Sequence, residues 1–216
     1  MTGIMQAVLG GTYGPVGPTT IGQAYGGGFY AGKISTAGTG VAYYYLIVAP
    51  KASGEAVNVV WGPTGVTTGN TSVISGPTNS ASLAALGTSY AAATFCEGLS
   101  IGGYTDWYLP AKNELEVMYY FLKPTTNGNV TYSGSNANAV SPEPVSTNYT
   151  NGSPAQTVAG IGFRAGETNA FASGYYWSST EHSSDYAVMQ GFVLGDQDNY
   201  IKNISGYARA VRRVPV

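Results

Sequence analysis

The chain has 216 residues, enough for one domain with a real core. Only 9% of them are charged, nine basic against eleven acidic, so no electrostatic case for nucleic acid exists. A single cysteine, Cys96, excludes an intrachain disulfide and a cysteine-built zinc site, and it reads as a small buried apolar group.

Glycine (31) and tyrosine (18), with serine, threonine and asparagine, take the place of ions, which suits a secreted or virion-type surface better than a cytosolic enzyme. Residues 1–25, "MTGIMQAVLGGTYGPVGPTTIGQAY", cannot build a core and read either as an extended assembly arm that packs on a neighbouring subunit or on the body, or as a flexible leader. The segment has no basic residue ahead of its apolar stretch, unlike an export signal. Next come strands in "GGFYAGKIS" and "AYYYLIVAP", split by the loop "STAGTG", and a third in "AVNVVW". The apolar run at 41–50 is too short to cross a bilayer, so no membrane insertion is expected.

A first helix is predicted over 79–98, capped by Asn79 or Ser80, with Gly87 as the place where it could break. The second lies in "LPAKNELEVMYYFLKP", where Leu115, Met118, Tyr119 and Leu122 make one apolar stripe. Pro110 precedes it and Lys123-Pro124 stops it. Glu114 is the N3 residue of a capping box whose N-cap, Ala111, has no acceptor to offer. Residues 124–160 form a long polar loop. Strands return in "GYYWSST", "DYAVMQGFVLG", "NYIKNI" and "YARAVRRVPV", with "GDQDN" (195–199) as a hairpin turn. Strands at both ends with two helices between them predict an α+β fold in which N- and C-terminal strands pair.

"GGYTDWYLPAKNEL", then "YYWSSTE", then "YARAVRRV" at the close resemble the Lcl-type C-type-lectin-like domain of phage tail and bacterial surface proteins, over residues 26–216. Ala111 departs from the Ser or Thr usual there. The resemblance implies that Asp106, Trp107, Pro110, Glu114, Trp177, Ser178, Ser179, Arg209 and Arg212 are structural; Arg209 and Arg212 are expected to make ion pairs, with Glu114 or Asp106 as candidate partners, or backbone contacts beside the closing strand. Related retroelement-diversified proteins display a variable segment that looks like the stretch from Trp177 onward. The calcium-dependent sugar motifs of animal C-type lectins are absent. The "LPAKNELE" segment is also similar to formylglycine-generating enzymes, but their cysteine chemistry finds no match here.

Ser179, His182 and Asp185 suggest a hydrolase at first sight. They lie within one strand edge or loop, with no G-x-S-x-G elbow, so no catalytic residue is assigned. Asp196, Asp198 and Asn199 carry oxygens a calcium loop could use, but Asp and Asn are also what β-turns prefer, and the turn is the reading adopted. No metal or cofactor is expected.

Glu181, His182, Tyr186, Gln190, Asp196, Asp198, Asn199, Tyr200, Lys202 and Asn203 then form the expected ligand-binding face, aromatic and amide-rich at low net charge. The expectation is a phage tail or tail-fibre adhesin for a bacterial surface glycan or protein. Residues 1–25 would contact other virion proteins, and the resemblance implies a homo-oligomer, most simply a trimer. The alternatives are a structural virion protein and, third, an enzyme acting on surface glycans.

Overall fold

The computed structural model describes residues 17–152 and 162–216. Strands β1 (Ala24–Tyr25), β2 (Gly28–Ile34) and β3 (Tyr44–Val48) form an antiparallel meander. β9 (Val211–Pro215), from the end of the chain, pairs antiparallel with β3 and completes a four-stranded sheet. The first and last strands of the described residues thus share a sheet, but the last pairs with β3, not with β1.

A single helical turn, α1 (Lys51–Gly54), leads into β4 (Glu55–Val59). Helices α2 (Gly76–Ala85), α3 (Ala91–Glu97) and α4 (Lys112–Leu122) follow. β5 (Tyr175–Glu181), β6 (Tyr186–Gly191), β7 (Gln197–Ile201) and β8 (Gly206–Arg209) join β4 in a second sheet, ordered β4-β8-β5-β6-β7. This is a mixed α+β architecture in which β7 is an edge strand. No helix among the described residues is long and apolar enough to cross a membrane.

The structure corrects several expectations. Four helices occur among the described residues, not two. The helix expected over 79–98 is two: it starts earlier, after Ser75, and it breaks where Gly87 takes φ +108°, a conformation closed to most side chains. The closing run "YARAVRRVPV" divides at Ala210, β8 serving one sheet and β9 the other. Gln197, Asp198 and Asn199 are strand residues, so the β6–β7 turn lies before them. The described part of the expected arm packs on the body, where β1 pairs with β2 and the Gly22 amide donates to the Tyr30 carbonyl. The rest of the expected arm, residues 1–16, lies outside the described residues, as do residues 153–160 of the polar loop and residue 161 after it.

α4 keeps its predicted stripe, and Leu115, Met118, Tyr119 and Leu122 are buried in one cluster with Val48, Tyr176 and Val211. Its polar face is buried too, since Asn113, Glu114 and Glu116 are also covered. The polar loop provides that cover on one side: Asn136 Nδ2 donates to the Asn113 carbonyl at 2.9 Å. A second cluster gathers Trp61, Trp107, Trp177, Met189 and Cys96, so the expected burial of the cysteine holds.

Candidate functional site

The expected binding face starts where β5, β6 and β7 run side by side. Pairing of Tyr186 with Ile201, Val188 with Asn199 and Gln190 with Gln197 puts these residues on one side of the sheet. On that side the N-terminus of α4 and the loop at 71–73 rise beside β7. Between them opens a groove of about 350 Å³ lined by Lys112, Thr180, His182, Gln197, Asp198 and Asn199, among others. Gln197 Nε2 donates to the Lys112 carbonyl at 2.7 Å, which fixes β7 against the helix start. The Asn113 amide donates to the Val73 carbonyl at 3.0 Å and ties the loop to the same helix.

Of the ten expected face residues, His182, Tyr186, Asp198, Asn199 and Asn203 are exposed, and Asp196 and Tyr200 are half-buried. The other three are not surface residues. Glu181 is 3% exposed, and Gln190 and Lys202 are fully buried. Gln190 faces inward from the middle of the sheet, opposite Tyr176. Glu181 and Lys202 are buried because they neutralise each other, with Nζ to Oε1 at 2.6 Å.

The Lys202 ammonium also donates to the carbonyls of Val66 and Ser184, at 2.7 and 2.9 Å, and sits 4.7 Å from the centre of the Trp61 ring. The Thr68 and Gly69 amides donate to the Glu181 carboxylate. Burial alone would push the Glu181 carboxyl up. The hydrogen bonds from Lys202, Thr68 and Gly69 outweigh it and hold the group below the usual carboxylate range. The pair therefore ties together the loops at 66–69 and 182–185, and Glu181 also contributes to the lining of the groove.

On the opposite side of the sheet, Tyr175 and Tyr200 lie with ring centres 4.9 Å apart. Hydrogen bonding with Tyr200, then burial and Asp196, pushes the Tyr175 hydroxyl up. Asp196 and Tyr200 thus belong to this aromatic ledge and not to the groove. Among the described residues no group of three or more His, Cys, Asp or Glu side chains is arranged to hold a metal.

Ser179, His182 and Asp185 do not converge. Ser179 is buried with an unpartnered hydroxyl, and the Asp185 carboxylate accepts from the Gly65 amide and the Ser184 hydroxyl. Of the residues read as structural, the Trp177 indole donates to the Val59 carbonyl, the Ser178 hydroxyl to that of Val188, and the Ser179 amide to that of Pro110. Trp107 is buried and its indole donates to the Tyr104 carbonyl.

Arg212 grips Asp106 with two nitrogens, at 2.7 and 2.9 Å, and these bonds hold the Asp106 carboxyl low. Glu114 pairs with Arg213, and Arg209 pairs with Glu55 at 2.9 Å. Thr71, Val73, Lys112, Thr180, Val188 and Gln197 were not foreseen at the groove. Lys112 carried one signal: a lysine at the first position of a helix opposes the helix dipole, an unusual place for a cation without another use.

Among known families, the model of the Lcl C-terminal domain matches residues 55–212, from β4 into β9. No curated protein matches the chain.

Proposed function

The chain belongs to the Lcl C-terminal domain family, and on that premise we propose that it is a C-type-lectin-like, non-catalytic adhesin of a phage tail or tail fibre that binds a bacterial surface glycan or protein. The observation that carries this is the groove beside edge strand β7, large enough for one or two sugar-sized groups. Its lining brings an imidazole, two amides, hydroxyls, one ammonium and the acids Glu181 and Asp198, donors and acceptors that suit a neutral polyhydroxylated ligand. The phage assignment rests on the resemblance and on the charge-poor composition. Such a groove would bind weakly alone, and a trimer would gain through simultaneous attachment.

The test is binding of the purified protein to bacterial cells and cell-wall glycans. A His182→Ala/Asp198→Ala/Asn199→Ala variant should lose at least about tenfold in affinity while melting unchanged, since all three side chains are exposed. No binding by the folded protein, or equal binding by the variant, overturns the proposal. A structural virion protein is the second reading. The exposed apolar residues Val66, Tyr186, Ile201 and Ile204 favour it, because they would suit packing against another virion subunit. Locating the chain on the capsid shell rather than the tail would support that reading.

A further inference from the structure

The polar loop is held to α4 by an unusual arrangement of acids. Asn113, Glu116 and Tyr120 lie at i, i+3 and i+7 on one side of the helix, and residues 133–149 lie across them. Asn136 Nδ2 bridges the Asn113 carbonyl and Glu143 Oε1, at 2.9 and 2.8 Å. Asn113 Nδ2 donates to Asn138 Oδ1 at 2.7 Å, the Tyr149 hydroxyl donates to Glu116 Oε1, and the Tyr120 hydroxyl donates to the Pro142 carbonyl. The rings of Tyr120 and Tyr149 stack.

Glu116 is 1% exposed and Glu143 3%, and each has only one oxygen engaged. The second oxygen of each, Oε2, has no hydrogen-bond partner among the described residues. Neither acid forms a salt bridge there. The groups acting on them from the helix are Lys112, Tyr119 and Tyr120, and from the loop Tyr149 and each other. Only Lys112 among these is a cation. Two ionised carboxylates so placed would be buried, mutually repelling and poorly solvated.

Burial pushes the Glu116 carboxyl up to about 8, with Tyr149 and Lys112 opposing it. Burial, reinforced by Glu116, pushes the Glu143 carboxyl well above the usual carboxylate range. A bound cation would answer the same need, but no third acid or imidazole joins the pair among the described residues, so the proton is favoured.

The same loop supports the groove. The Val130 amide donates to the Leu194 carbonyl at 2.8 Å, and the Ser133 hydroxyl donates to the Gly195 carbonyl, in the turn that delivers β7. Val73, which lines the groove, accepts from the Asn113 amide at the latched end of α4. We infer that Glu116 and Glu143 are a proton-held latch: protonated, they fasten residues 133–149 to α4, and their ionisation in mildly alkaline solution frees that segment and slackens the groove. The control of the groove rests on the binding reading above; the latch itself does not.

A carboxyl whose folded pKa is raised stabilises most below its unfolded value, about 4.3, and that contribution is gone once pH has risen through the folded value. For Glu116 the window therefore closes at about 8. Hydrogen exchange of the full chain, corrected for intrinsic rates, reads this without any ligand. Between about pH 6 and 9.5, amides in 133–149 should lose at least about tenfold in protection, while β3 and β9 stay protected.

Glu116→Gln and Glu143→Gln keep the shape without the ionisation and should each shrink the transition, and the double variant should remove it. The infrared band of protonated carboxyl groups in the unmodified protein at neutral pH gives a check that needs no variant. Unchanged protection to pH 9.5, a transition that persists in the double variant, or absence of the band overturns the latch. So does protection gained from added calcium chloride in the unmodified protein but not in the double variant, which would make the pair a cation site.

Discussion

At the scale of the residue, the Lys202 ammonium does for this face what a bound cation does in many loop-built sites. It draws two carbonyls, a carboxylate and an indole ring around one charge and so fixes two loops that are far apart in sequence. Lys202→Met would keep most of the bulk and leave Glu181 buried without its counter-charge. Breaking a buried pair in this way costs about 3–5 kcal/mol. The Thr68 and Gly69 amides remain to solvate the carboxylate, which argues for the lower end. Chemical denaturation measures the loss, and a change below about 1 kcal/mol would mean the pair behaves like an exposed one. The pH dependence adds a sign. Because the Glu181 carboxyl is held low, its contribution is present above the unfolded carboxyl pKa and is lost as pH falls through the folded one. The unmodified protein should therefore weaken in acid below about pH 4.5, more steeply than Lys202→Met.

At the scale of the element, the β6–β7 turn positions the edge strand. Gly195 closes it at φ +80°, where a built Cβ would lie 2.6 Å from the Tyr119 ring. Gly195→Ala meets two costs at once, a left-handed backbone and an overfilled contact, together about 2–4 kcal/mol. A thermal melt tests the total. An unchanged melting temperature would show that Tyr119 can swing away, despite the hydrogen bond from its hydroxyl to Asn129.

Legibility in the sequence followed the range of the interaction. β2, β3, β5, β6 and α4 were readable because alternation, a 3.6-residue stripe and flanking prolines are local signals. The burial of Glu181 and Lys202 was not, because alternation assigns a side to a polar residue but says nothing of a partner 21 positions away. Gln190 misled for the same reason, since a polar residue on a strand reads as solvent-facing until the opposite layer is known. The division at Ala210 left only a weak trace, since Ala210 and Val211 in succession break the alternation but do not say that the two halves join different sheets. The groove itself was half legible: β7 supplied Asp198 and Asn199, whereas Lys112 and Val73 arrive from elements whose docking only the tertiary fold determines.

At the scale of the whole molecule, the last strand holds the two sheets together. β8 ends in the second sheet and β9 begins in the first. Between them Ala210 exchanges hydrogen bonds with both layers, accepting from the Ala49 amide and donating to the Gly54 carbonyl. Three arginines within five residues each reach a different acid: Arg209 to Glu55 on β4, Arg212 to Asp106 ahead of α4, and Arg213 to Glu114 in its first turn. Their crowding in the sequence is therefore a set of internal ties and not a basic tail. Deleting residues 211–216 would strip β3 of its outer partner, expose Leu46 and Ile47, and leave Glu114 buried without Arg213. Each uncompensated buried charge costs about 3–5 kcal/mol, and total stability for a domain is about 5–15 kcal/mol. The deletion should consequently abolish the cooperative unfolding transition seen by circular dichroism and tryptophan fluorescence. Arg213→Met with β9 intact should only lower its midpoint, because the strand pairing and the Arg212–Asp106 contact survive. If the truncated chain still unfolded cooperatively, the two sheets would be held by their helices alone, and β9 would be an ornament on the fold instead of its closure.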